Sequence, residues 1–294
     1  MAACADVAEP VRSTPGSISS NPMKRRILTG LPLALVAVYL IVQSREWLFT
    51  LAVLATVIIS LHEYFHISSA AGLGGWPWLG YLGAALLCLL QYADLKGVAL
   101  SESTLLLVLV LGIPLAGLIA APDLKTYSGA LASTLLGVLY IGFAFSWIIP
   151  LRFADPVTGR FLIILLFLVV WAGDIFAYAV GRSVGRTPLA RTISPKKTVE
   201  GAIAGLAGGV LAAWGLSYWF WQTGDQKTVI LIAGVVAVAG QAGDLVESAL
   251  KRAANLKDSG AILPGHGGLL DRIDSLLFAA PTLWLVWRLK EFWH

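Results

Sequence analysis

The chain has 294 residues, of which 57% are hydrophobic and 13% charged, and its mean hydropathy is +0.79. Soluble domains carry about 25% charged residues, so this composition excludes an ordinary water-soluble globule and a disordered chain alike. The formal net charge of +4 does not by itself point to nucleic acid, because the positions of the basic residues follow a membrane pattern. Two cysteines, Cys4 and Cys88, are too few for a disulfide framework or a cysteine-rich zinc site.

Residues 1–26 are polar, rich in Ser, Pro and Ala, and end in Lys24-Arg25-Arg26; they read as a disordered tail. A spanning helix needs about 20 apolar residues, within a range of about 17–25. Nine segments approach that requirement: 27–43, 47–61, 79–92, 104–121, 129–149, 161–180, 201–221, 229–247 and 275–289. The predicted fold is an all-α, polytopic integral membrane bundle of about nine transmembrane helices. Its N-terminal helices occupy 27–160, and the region expected to carry chemistry occupies 161–294. A cytoplasmic N-terminus puts 14 of the 21 Lys and Arg residues inside, in keeping with the positive-inside bias. Two of the resulting cytoplasmic loops, 181–200 and 248–274, are the longest polar stretches after the tail. Between them, Gly201, Gly205, Gly208 and Gly209 form a small-residue pattern that predicts close helix packing.

The stretch 244–274 combines acids at spans' edges with bases in the loop. Asp244 and Glu247 end one span, and Asp271 and Asp274 start the next; on a helix each pair, three residues apart, shares a face. Carboxylates at a membrane edge are costly unless paired or bound to cations, so they are functional candidates. Mg²⁺ suits them, because it takes oxygen ligands and is usually held by one or two carboxylates plus substrate phosphates. Lys251, Arg252, Lys257 and Arg272 suit phosphate oxygens, and the turn Gly265-His266-Gly267-Gly268 can aim backbone N–H groups at an anion. The alternative is a charged loop that obeys topology, with its charges paired among themselves.

The loop 181–200 contains Gly181-Arg182, Gly185-Arg186 and Ser194-Pro195-Lys196-Lys197-Thr198. Hydroxyls and lysines just before a helix N-terminus can cradle phosphate, while the plainer reading has Ser194 or Thr198 as an N-cap. Asp174, near the end of an apolar span, needs a partner: a metal, a nucleotide, or Arg182 or Arg186. A rival motif, His62-Glu63-Tyr64-Phe65-His66, matches H-E-x-x-H, the pattern of an intramembrane zinc metalloprotease with Glu63 as base. Interfacial anchoring by the same polar and aromatic residues is the competing account.

The stretch Ser248-x-Leu-Lys251-Arg252-x4-Lys257-Asp258-x-Gly260-x2-Leu263-Pro264-x-His266-Gly267-Gly268-x2-Asp271-Arg272-Ile273-Asp274 resembles the motif of the phosphatidate cytidylyltransferases, also called CDP-diacylglycerol synthases. The two Gly-Arg pairs and Ser194–Thr198 resemble further blocks of that family, so the motif-bearing resemblance covers about 171–275. It implies a polytopic, commonly dimeric enzyme that joins CTP to phosphatidate with Mg²⁺, and with K⁺ as an optional second cation, giving CDP-diacylglycerol and pyrophosphate in phospholipid biosynthesis. It also implies Asp244 and Asp271 as metal ligands. Lys257, Asp258, Arg272 and Asp274 are the further catalytic candidates. Asp174, Ser194, Lys196, Lys197, Thr198, Lys251, Arg252, His266, Gly267 and Gly268 are the substrate-binding candidates. The expected host is a bacterial inner membrane, with the site facing the cytoplasm and no nucleic-acid partner. A CTP-dependent lipid kinase, an ether-lipid CDP synthase and a transporter using Asp174 are the remaining alternatives.

Overall fold

The computed structural model describes residue 36 and residues 38–98, 101–120, 123–220, 225–262 and 267–290. The tail over 1–26 and most of the span expected at 27–43 lie outside the described residues, as does His266; residues 38–43 are helical. Eight long helices follow: α1 Glu46–Ala70, α2 Pro77–Leu95, α3 Glu102–Ala120, α4 Leu124–Phe153, α5 Thr158–Val184, α6 Val199–Phe220, α7 Gln226–Ala253 and α8 Leu270–Lys290. The first seven are long and apolar enough to cross a membrane. The chain is thus an all-α integral membrane bundle, as its hydropathy predicts.

The helices outrun the apolar segments because hydropathy marks only the stretch in hydrocarbon, whereas backbone hydrogen bonding continues to the caps. Asp123 caps α4 by accepting from the Lys125 N–H at 3.0 Å, and Asp225 caps α7 by accepting from Lys227 and Thr228. Within α4, an i→i+5 turn over Val138–Phe143 interrupts the α-helical ladder. Such turns are rare and re-aim the side chains they carry.

Between α5 and α6 stands one small antiparallel hairpin, β1 Pro188–Ala190 and β2 Ser194–Thr198, with Pro188 opposite Thr198 and Ala190 opposite Ser194. The sequence pattern predicts a loop here, because strands this short leave little periodicity to detect.

A main core joins α1, α4, α5, α7 and α8 through Leu61, Ile141, Leu166, Ala233 and Leu277, and a second cluster of Trp76, Leu109, Ile113 and Val138 seats α2 and α3 against α4. The predicted glycine packing is realised between α5 and α6. A Cβ at Gly201 would lie 2.8 Å from the Ala177 carbonyl, one at Gly205 2.9 Å from that of Gly173, and one at Gly209 2.9 Å from that of Val169. The two backbones touch directly, which small residues at four-residue spacing permit. This contact fixes Asp174 on α5 relative to the hairpin and the start of α6.

Candidate active site

The C-terminal ends of α1, α5 and α7, the N-terminal ends of α6 and α8, and the hairpin meet at one end of the bundle. On α7, Asp244, Glu247 and Lys251 share a face. Lys251 Nζ lies 2.5 Å from Glu247 Oε2 and 2.6 Å from Asp271 Oδ1, and Glu247 is fully buried. The other Glu247 oxygen has no hydrogen-bond donor among the described residues. Asp271 Oδ2 also accepts N–H bonds from Ser259 and Gly268, each at 3.1 Å, and the Ser259 N–H lies 3.2 Å from Oδ1, so both oxygens are oriented from the loop.

Asp244 is about one-third exposed and forms an ion pair with Lys197 of the hairpin. Asp274, held at one oxygen by the Ser275 N–H at 2.6 Å, lies within electrostatic reach of Asp244, Asp174 and Lys251. Asp174 faces the same group from α5 and lines a cavity of about 20 Å³ with Gly173, Ala177, Gly205, Gln241 and Ser275. That is room for about one water. Arg182, considered as a partner for Asp174, instead donates to the Tyr178 hydroxyl at 2.9 Å.

The hairpin is closed by local polar contacts. Glu200 accepts from the Arg186 and Thr187 N–H groups, each at 3.1 Å, and the Thr198 hydroxyl accepts from the Gly201 N–H at 3.1 Å. Thr198 is therefore the N-cap of α6, the plainer of its two sequence readings, and its hydroxyl leaves no room for a Cβ at Gly185. Arg252 ties the hairpin turn to the end of α7, donating to the Leu256 carbonyl at 2.8 Å and the Ile193 carbonyl at 3.3 Å. Ser194 is half-buried, while Lys196, Lys257, Asp258 and Arg272 are exposed around the rim. Gly267, with φ of +82°, takes a left-handed conformation suited to glycine.

At residues 62–66 the geometry favours the anchoring account over the zinc motif. His62 and His66 are exposed, and His62 Nδ1 sits 3.3 Å from the Tyr81 hydroxyl. Glu63, in contrast, is 2% exposed and accepts from the Leu270 N–H at 2.8 Å, the Leu269 N–H at 3.0 Å and the Ser259 hydroxyl at 3.0 Å. Its carboxylate caps α8 and is not available as a base beside the two histidines. Among the described residues, no group of three His, Cys, Asp or Glu is arranged to hold a metal alone.

Chemically, this end of the bundle gathers Asp174, Asp244, Glu247, Asp271 and Asp274 around Lys197 and Lys251. The acidic surplus and open rim suit a cation shared with an anionic substrate. The model of the cytidylyltransferase family matches residues 24–290. The chain belongs to that family. It is 37% identical over 274 residues to "Phosphatidate cytidylyltransferase" of Bacillus subtilis (strain 168), covering 90% of this chain and 97% of the relative. It is 33% identical to the protein of the same name from Synechocystis sp. over 90% of this chain and 95% of the relative. It is also 34% identical to "Phosphatidate cytidylyltransferase 5, chloroplastic" of Arabidopsis thaliana, over 88% and 70% respectively.

Proposed function

We propose that this cytidylyltransferase-family member transfers the cytidylyl group of CTP to phosphatidate, giving CDP-diacylglycerol and pyrophosphate. The observation that carries the reading is the acidic cluster at the bundle end, with a lysine beside each of its two leading carboxylates: Lys197 on Asp244 and Lys251 on Asp271. The near full-length similarity to relatives named for this activity supports it.

The phosphate monoester of phosphatidate has a second pKa near 6, by analogy with phosphorylated side chains. Its oxygen is already an anionic nucleophile, and no dedicated general base is needed. A phosphatidate oxygen attacks the α-phosphorus of CTP, the bond to the β-phosphate oxygen breaks, and pyrophosphate leaves with that electron pair. The task left to the protein is to bring two polyanions together. Lys197 and Lys251 neutralise and orient phosphate oxygens, while the exposed Lys196, Lys257 and Arg272 attract the triphosphate from water.

The residues fit Mg²⁺. Asp244 and Asp271 offer hard oxygen donors, Asp274 and Asp174 stand in support, and the N–H bonds on Asp271 are the outer contacts that orient a ligating carboxylate. Bound there, Mg²⁺ would screen the triphosphate charge. The lipid chains stay in hydrocarbon while the head group reaches the site from the inner leaflet. The assignment of this bundle end to the cytoplasm, of the host to a bacterial inner membrane, and of the active form to a homodimer belongs to the same proposal.

Purified protein should release pyrophosphate only when CTP, phosphatidate and Mg²⁺ are all present. Phosphatidate-independent release, or CDP as the product, would overturn the reading.

A further inference from the structure

Each helix that starts at the active end needs acceptors for its first N–H groups, and α6 obtains one from its immediate neighbour Thr198. Helix α8, which carries Asp271 and Asp274, is served differently. The Leu269 and Leu270 N–H groups donate to Glu63, which stands 206 and 207 residues earlier in the chain. The same carboxylate accepts from the Ser259 hydroxyl, so it also holds the loop whose backbone N–H orients Asp271. A buried carboxylate is costly unless compensated, and the positive end of α8 with three hydrogen bonds supplies that compensation.

The packing around it is as tight as the hydrogen bonding. A Cβ at Gly260 would stand 2.6 Å from Glu63 Oε1 and 3.0 Å from its Cδ; one at Gly268 would stand 2.8 Å from Oε2. Helix α1 is itself fixed to α4, since the Tyr64 hydroxyl donates to the Ser133 carbonyl at 3.0 Å and the Ser68 and Ser133 hydroxyls are 2.6 Å apart. Glu63 therefore transmits a rigid reference from the N-terminal helices to the loop and helix that present two site carboxylates.

We propose that Glu63 is a positioning residue of the active site, a cap supplied by α1 that sets the placement of Asp271 and Asp274 without touching substrate. Its activity readout rests on the cytidylyl-transfer reading; its exchange readout does not.

The test uses full-length protein in detergent, with folding checked by size-exclusion chromatography. Glu63→Gln replaces one acceptor oxygen by an NH₂ that cannot accept from the α8 N–H groups. It should lower kcat/KM at least tenfold and speed amide hydrogen exchange in peptides covering 267–271. Gly260→Ala, which crowds the same carboxylate, should reproduce both effects. Shortening the acid should then relieve the crowding, so Glu63→Asp with Gly260→Ala should be more active than Gly260→Ala alone, an outcome that a general loss of stability does not give. Folded Glu63→Gln within twofold of wild type, unchanged exchange, or no recovery in the double variant would each overturn the proposal. Wild-type protein that makes no CDP-diacylglycerol would instead overturn the proposed function, leaving the exchange measurement to judge the cap.

Discussion

In α1–α4 several buried hydroxyls donate to backbone carbonyls. Thr134 donates to the Ala130 carbonyl, Ser146 to that of Phe143, and Tyr64 to that of Ser133. In α5–α8 charged side chains converge on one end of the bundle and pair across separate elements, as Lys197 does with Asp244 and Lys251 with Asp271. The first arrangement closes a membrane bundle; the second leaves carboxylates in excess of their countercharges. Glu63 and Tyr140 show that the contrast is not absolute. Glu63 reaches from α1 to the start of α8. Tyr140, on the i→i+5 turn of α4, packs edge-on against Phe278 of α8 with its hydroxyl buried.

The sharpest way to break the contrast is to neutralise the acidic region. Asp244→Asn and Asp271→Asn should each lower kcat by about 100-fold or more, the scale on which one preorganised electrostatic contact counts. Steady-state assays of folded protein check this; near-normal turnover would remove these residues from the site. Next in size is the buried ion group. Lys251→Met strands Glu247 and Asp271 without a countercharge and should cost about 3–5 kcal/mol of stability, read as a lower thermal midpoint and less monodisperse protein.

A smaller effect is expected at the hairpin. Glu200→Gln weakens the bonds that Arg186 and Thr187 donate and should raise the KM for CTP severalfold with little change in thermal midpoint. The smallest effect is expected in the N-terminal region away from Glu63. His62→Ala with His66→Ala should leave activity within twofold and leave bound zinc, measured by elemental analysis, unchanged from background. Loss of activity restored by zinc would revive the metalloprotease motif and erase the distinction between the regions.

The membrane fold was legible because apolar length is a local property. Eight of the nine expected spans fall on helices, and the remaining one lies mostly outside the described residues. The charge cluster that makes the candidate site was legible: Asp174, Lys197, Asp244, Lys251, Asp271 and Asp274 all come to one end. What escaped was contact between distant parts of the chain. Glu63 sits between two histidines whose spacing resembles a zinc motif, and nothing local reveals that its partner is the start of a helix 207 residues on. The hairpin escaped for the opposite reason, its strands being too short to show alternation.

The central claim concerns which phosphorus reaches the lipid, and isotopic labelling reads it directly. Incubation with phosphatidate, Mg²⁺ and CTP labelled with ³²P at either the α or the γ position should place α label in a lipid-soluble product and γ label in pyrophosphate. Transfer of γ label to lipid with release of CDP would contradict the account and mark the protein as a kinase, while no lipid label from either position would remove phosphatidate as its substrate.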